Sequence, residues 1–129
     1  MILVDSGVWI DYFNGLDNKQ TDTLNETLGV KPVAAGDLIL TEVLQGFRVD
    51  KDYKTAKSLF EDLIIFDLVG KDMAIKSAEN FRTLRKRGIT IRKPVDVIIA
   101  TFCIERKLPL LFCDKEFKPF VKNLGLIAA

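Results

Sequence analysis

Four acidic residues fall where apolar, strand-like or helix-like segments begin or end. They are Asp5 after Ile2-Leu3-Val4, Glu42 after Leu38-Ile39-Leu40, Asp96 at the head of an apolar stretch opened by Pro94, and Asp114 after residues 108–112. Carboxylates are hard oxygen ligands, and several at one site suit Mg²⁺ or Mn²⁺, which keep waters that a phosphate can displace. The chemistry this permits is hydrolysis of a phosphate ester: one cation lowers the pKa of a bound water, and a second about 4 Å away stabilises the leaving oxygen. The chain contains no histidine. That removes imidazole bases, Ser-His and Cys-His nucleophile pairs and most zinc sites.

Taken singly, each acid has a simpler explanation, because Asp after a strand often caps a helix and an acid in a first helical turn complements the helix dipole. Capping does not explain why acids from three strand ends and the most apolar helix should share one rim, where mutual repulsion raises pKa values or destabilises the fold. A bound divalent cation resolves that conflict. Glu116, two residues after Asp114, lies on the same side in an extended chain and either joins the site or faces water beside Lys115. Ser6 either hydrogen-bonds a metal-bound water or simply caps the following helix.

The elements that must position these acids read as an alternation. Residues 2–4 form a strand; Asp5-Ser6 caps a helix carrying Val8, Trp9, Ile10, Tyr12 and Phe13, closed by Gly15; residues 21–28 form a second helix. Residues 30–36, with Pro32, read as the connection to a strand at 38–40, after which Thr41 caps a helix carrying Val43, Leu44 and Phe47. A helix over 53–63 and a strand over 64–69 follow. Residues 71–87 place Ala74, Ile75, Ala78, Phe81 and Leu84 on one face, with Gly88 as the C-cap. Pro94 starts a helix that is apolar on nearly every side and should be central. Residues 108–112 read as a buried strand, 117–124 as a last helix and 126–127 as an edge strand. Strands alternating with helices imply crossovers and a mainly parallel sheet, which binds ligands beyond the carboxyl ends of its strands.

At 129 residues with 48% hydrophobic and 29% charged side chains, we expect one globular domain over 1–129. The 19 basic and 18 acidic residues nearly cancel, so local clustering must carry any case for nucleic-acid binding. No apolar run is long enough to span a bilayer, no signal-peptide pattern opens the chain, and a soluble cytoplasmic protein is the expectation. Cys103 and Cys113 each sit in an apolar run and read as buried thiols.

These residues resemble the PIN-domain family and, within it, the VapC-type toxin ribonucleases of toxin–antitoxin pairs. The resemblance rests on Leu3-Val4-Asp5-Ser6-Gly7-Val8-Trp9-Ile10-Asp11-Tyr12-Phe13, Thr41-Glu42-Val43-Leu44-Gln45-Gly46, Asp96-Val97-Ile98-Ile99-Ala100 and Phe112-Cys113-Asp114-Lys115-Glu116-Phe117. It implies an α/β fold, a three-layer α/β/α sandwich, in which Asp5, Glu42, Asp96 and Asp114 are the catalytic acids. Asp5, Asp96 and Asp114 would hold Mg²⁺ or Mn²⁺, and Glu42, Glu116 and Ser6 would complete or support the site. The last motif departs from the usual pattern, with Phe112 in place of threonine and Glu116 in place of a second aspartate, which bears on a second metal. A non-catalytic PIN-like module that docks RNA or protein is the alternative.

Arg82, Arg85, Lys86, Arg87, Arg92 and Lys93 crowd one helix end and the loop leading to Asp96. They read as an RNA phosphate-binding patch or, more plainly, as a solvated helix end. The resemblance also implies a VapB-type antitoxin and a homodimer. Trp9, Tyr12, Phe13 and Phe47 supply more large rings than one rim needs, and some are expected to stay exposed for such a partner.

Overall fold

Short apolar runs form the strands β1 (Ile2–Val4), β2 (Val33–Gly36), β3 (Ile64–Phe66) and β4 (Leu110–Leu111). The computed structural model describes residues 1–129 and joins them in one all-parallel sheet of order β3-β2-β1-β4. Parallel neighbours require crossovers, and each is made by a pair of helices: α1 (Ser6–Phe13) with α2 (Lys19–Thr27), α3 (Asp37–Leu44) with α4 (Asp50–Glu61), and α5 (Lys71–Lys86) with α6 (Pro94–Arg106). A short 3₁₀ turn (Lys115–Phe117) and α7 (Lys118–Leu124) follow β4. The chain steps outward from β1 to β2 to β3, then returns past β1 to β4. Right-handed crossovers therefore put α1–α4 on one face and α5–α6 on the other, and α1 packs on α2 and α3 while α5 packs on α6. This is the expected three-layer sandwich.

The reversal of strand order makes a switch point between β1 and β4, where ligands bind in open parallel sheets. The core lies around it. Leu3, Val4, Ala34, Ala35 and Leu110 are fully buried in the sheet, and α6 is the central helix, with Val97, Ile99, Ala100, Thr101, Phe102 and Cys103 all buried. Ala128 bridges to Leu110, and the Ala129 amide donates to the Leu110 carbonyl at 2.9 Å, covering the outer edge of β4. That single bridge replaces the expected strand at 126–127. No helix is long and apolar enough to cross a membrane.

The second strand lies earlier than its sequence suggests. Leu38-Ile39-Leu40, expected as a strand, belongs to α3, and the expected connection at 33–36 is β2 itself. The reason is steric. A Cβ on Gly36 would lie 2.2 Å from Leu68 Cδ1, so the interior strand uses small residues where the chain after β3 crosses it. Asp37 then takes the first turn of α3, its Oδ1 accepting from the amides of Leu38 (2.8 Å) and Leu68 (3.2 Å). Thr41 lies inside that helix instead of capping it, and Phe47 lies beyond its end.

Candidate metal centre

Asp5 is the N-cap of α1, and its own amide donates to the Leu111 carbonyl at 3.0 Å, which pins it between the ends of β1 and β4. It is 4% exposed. Oδ2 accepts weakly from the Gly7 amide at 3.5 Å, whereas Oδ1 is buried with no partner. Burial, reinforced by the negative charge of Asp96, pushes this carboxyl up to about 7; the Ser6 and Gly7 amides act in the opposite sense and Glu42 adds to the rise. Ser6 thus acts on the site through its amide.

Asp96 stands in the first turn of α6, behind Pro94 at the helix start. Pro suits that position because the missing N–H would have no helical partner. Asp96 is buried, its Oδ2 has no hydrogen-bond partner, and burial followed by repulsion from Asp114 raises it to about 6. Lys93 opposes the rise, while Glu42 and Glu116 add to it. Asp114 caps the 3₁₀ turn, its Oδ1 accepting from the Glu116 amide at 2.9 Å. That turn brings Glu116 round beside it, and Asp96, Asp114 and Glu116 each place a carboxylate oxygen within 4.8 Å of the others. Asp114 follows β4 by three residues instead of the expected two. Glu42 arrives from the second turn of α3, not from a strand end, and its charge acts on both Asp5 and Asp96.

Asp5 Oδ1, Glu42 Oε1, Asp96 Oδ2 and Glu116 Oε2 are the buried side-chain nitrogen or oxygen atoms of the chain that lack a hydrogen-bond partner, and all four belong to this one cluster. Orphaned buried polar atoms are rare in folded proteins and costly. Here they coincide with mutually repelling charges. Several hard oxygen donors that nothing in the protein satisfies fit a divalent cation of the Mg²⁺ or Mn²⁺ type.

The basic stretch divides into separate settings. Arg92 donates from Nε to Glu116 Oε1 at 2.8 Å, and Lys93 lies near enough to Asp96 to stabilise its charge; both flank the acids. Arg82 and Arg85 line an apolar groove of about 520 Å³ between α5 and α6, with Arg85 5.4 Å from the centre of the Phe81 ring. Arg87 bonds the side chain and carbonyl of Asn123 on α7 at 3.2 and 3.4 Å, and Lys86 is exposed in the last turn of α5.

Two expectations need correction. Cys103 is buried, and burial raises its thiol to about 12, but Cys113 is exposed. It follows the end of β4, and its Sγ lies 3.7 Å from Asp11 Oδ2. What burial it has, together with Asp11, pushes that thiol up to about 11. Among the rings, none of the four is exposed. Trp9 is wholly core, packed on Phe60 and Phe13 and donating from Nε1 to the Val4 carbonyl at 3.2 Å. Phe13 and Phe47 are half-buried and line a small groove with Val43, Gly46 and the exposed Ile10.

Sequence reasoning missed the Arg92–Glu116 pair, whose partners lie 24 positions apart with no local signal. It also missed Asp11, which joins the Cys113 thiol to the Asn18 amide (3.2 Å) and so ties α1 to the loop carrying Asp114.

Comparison with known proteins places this geometry in context. The PIN domain matches residues 2–122. The VapC ribonuclease Mb1587 of Mycobacterium bovis and the ribonuclease VapC11 of Mycobacterium tuberculosis are each 24% identical to this chain over 131 aligned positions, covering 100% of it and 98% of their own length. Among solved structures, VapBC2 of Rickettsia felis bound to a DNA fragment from its promoter superposes with a TM-score of 0.76 at 19% identity, covering 100% of this chain and 98% of that one. The sarcin-ricin loop cleaving toxin VapC20 of Mycobacterium tuberculosis gives 0.68 at 14% identity, covering 92% and 93%. At such identities the structural likeness speaks for the fold.

Proposed function

The chain belongs to the PIN-domain family, and on that premise we propose that it is a divalent-cation-dependent endoribonuclease, the toxin of a toxin–antitoxin pair. The observation that carries this reading is the concentration of every unsatisfied buried side-chain oxygen in one carboxylate cluster at the switch point of a parallel sheet. The ribonuclease names of the mycobacterial relatives support RNA as the substrate, and the complexed structural neighbours support an inhibitory VapB-type partner. Homodimerisation is a further expectation of the family.

Asp5, Asp96 and Asp114 would hold the cation, with Glu42 and Glu116 completing or orienting the set. Bound Mg²⁺ or Mn²⁺ would neutralise the cluster and supply a water acidic enough to attack a phosphodiester. Asp5, raised to about 7, is about half protonated at neutrality when no cation is bound, and Asp96, raised to about 6, holds its proton only below that; each must release its proton to become a ligand. Cation affinity should therefore rise with pH across that range. Lys93 and Arg92 border the acids where a phosphate would approach, and Arg85, Lys86 and Arg87 extend basic character away from them. The Gly7 amide donates to Asp5 Oδ2 at 3.5 Å at the head of α1.

The test is incubation of purified protein with defined RNAs in Mg²⁺, in Mn²⁺ and in chelator, beside Asp5→Asn and Asp96→Asn. Cleavage that needs the metal, leaves 5′-phosphate and 3′-hydroxyl ends and is abolished in both variants is the expected result. RNA binding without cleavage under all conditions would instead mark a non-catalytic docking module, and 2′,3′-cyclic phosphate ends would exclude attack by water.

A further inference from the structure

Glu116 is an acid of this cluster whose two oxygens have different fates. Oε1 accepts from Arg92 Nε at 2.8 Å, while Oε2 is buried without a partner in the cluster with Asp96 and Asp114. The Glu116 side chain is 18% exposed and that of Arg92 is 85% exposed, so the pair straddles the rim: the carboxylate inside, the guanidinium outside. Asp5 Oδ1, in a side chain more than nine-tenths buried, is a second unsatisfied oxygen of the same cluster. We propose that Arg92 is a positioning residue that clamps one oxygen of Glu116 so that the other is presented to the divalent cation.

This rests on the metal-site reading above and adds a role to it. A longer acid at position 116 carries an extra rotatable bond compared with aspartate, and free rotation would let Oε2 leave the site. The Nε–H of Arg92 removes that freedom from outside, as hydrogen-bonded partners of metal-binding carboxylates do. The geometry is directional, and lysine, a point charge on a flexible stem, reproduces it poorly. A purely electrostatic role makes the opposite forecast. Arg92 is a cation beside a cation site, and if its charge were all that mattered, removing it would deepen the negative potential and tighten metal binding. The sign of the change therefore separates clamping from charge compensation.

The experiment is Mn²⁺ titration of the full chain by isothermal calorimetry and by loss of the free-ion paramagnetic resonance signal, for wild type, Arg92→Ala, Glu116→Gln and the double variant. Outer partners of metal ligands typically contribute about 10- to 100-fold to affinity; with Arg92 so exposed, we expect Arg92→Ala to weaken Mn²⁺ about tenfold, the low end of that range. The double variant should bind no more weakly than Glu116→Gln alone, because the arginine acts through that carboxylate. Unchanged or tighter binding by Arg92→Ala, or losses that simply add in the double variant, would overturn the clamp while leaving the metal site intact. Absence of Mn²⁺ binding by the wild type would overturn the metal reading, and the clamp with it. Arg92 lies in an exposed loop, so unchanged thermal unfolding in chelator is expected to accompany the loss of affinity.

Discussion

Replacing Asp5 by asparagine should make the metal-free protein more stable at alkaline pH, although it removes a proposed ligand of the catalytic cation. The carboxyl moves from 3.8 in the unfolded chain to about 7 in the fold. Between those values the unfolded chain has released a proton that the native state still holds, so native stability falls as pH rises through this window and levels off above it. At about 1.4 kcal/mol per pH unit, the full displacement corresponds to a penalty of about 4 kcal/mol. With Asp5 only 4% exposed, solvent screening does little to reduce it. Asparagine abolishes the charge but leaves an amide short of partners, which costs about 1–2 kcal/mol. The net gain near pH 8 in chelator should thus be about 2–3 kcal/mol, or roughly 10 °C in melting temperature for a domain of this size. Near pH 5 most of the difference should vanish, since about 3 kcal/mol of the penalty accrues above that pH. Thermal unfolding of both proteins at the two pH values, in chelator and then in Mn²⁺, measures this directly. Mn²⁺ at about a hundred times its Kd should close the gap and at about a thousand times its Kd reverse the ranking, because it stabilises the binding-competent protein by about 2.7 and about 4.1 kcal/mol respectively. Equal melting temperatures at pH 8 in chelator, or a wild type that melts higher there, would refute the account of Asp5 as a repelled and desolvated carboxylate.

Gly36→Ala places a methyl group 2.2 Å from Leu68 Cδ1 and should destabilise the fold by about 1–3 kcal/mol in urea unfolding; combining it with Leu68→Ala should cost less than the two changes separately. Arg85→Ala should flatten the salt dependence of RNA binding by about one in the log–log slope if its guanidinium meets a phosphate, as fluorescence anisotropy over a salt series will show. Ile10→Glu, in the groove formed with Phe13, Val43 and Phe47, should weaken inhibition by a co-expressed antitoxin without lowering cleavage by the free enzyme; undiminished inhibition would place the partner elsewhere.

Helices with a clear apolar face were legible. Residues 71–87 were expected as one helix and form α5 at Lys71–Lys86, followed by Arg87 and a left-handed Gly88, and the apolar stretch behind Pro94 became the central helix. Interior strands were harder to place, because β2 is built from Val33, Ala34, Ala35 and Gly36. Its Gly36 answers to the close approach of Leu68, a tertiary demand, while the bulkier Leu38-Ile39-Leu40 beside it satisfies a helix with Ile39 and Val43 buried one turn apart. Position at the ends of apolar segments, together with the family motifs, singled out Asp5, Glu42, Asp96 and Asp114, and the charge of Glu42 acts on Asp5 and Asp96 even though its element differs from the one expected. Pairings across the fold left no trace: Arg92 with Glu116 and the Cys113 thiol with Asp11 depend on how loops close over the sheet edge.

The indole of Trp9 donates to the carbonyl of Val4, the residue immediately before Asp5, and stacks among Phe13 and Phe60. Because it is the chain's one tryptophan, its emission comes from a single fluorophore in a dry pocket directly beneath the acids. A change in the field at the end of β1 should register as a small spectral shift with the ring still shielded, whereas loss of the core should give the larger red shift of a water-exposed indole. Tyr12, with its ring centre 6.3 Å away, is close enough to pass excitation to it. The protein thus carries an internal optical probe able to separate occupation of the acidic cleft from unfolding, without a label.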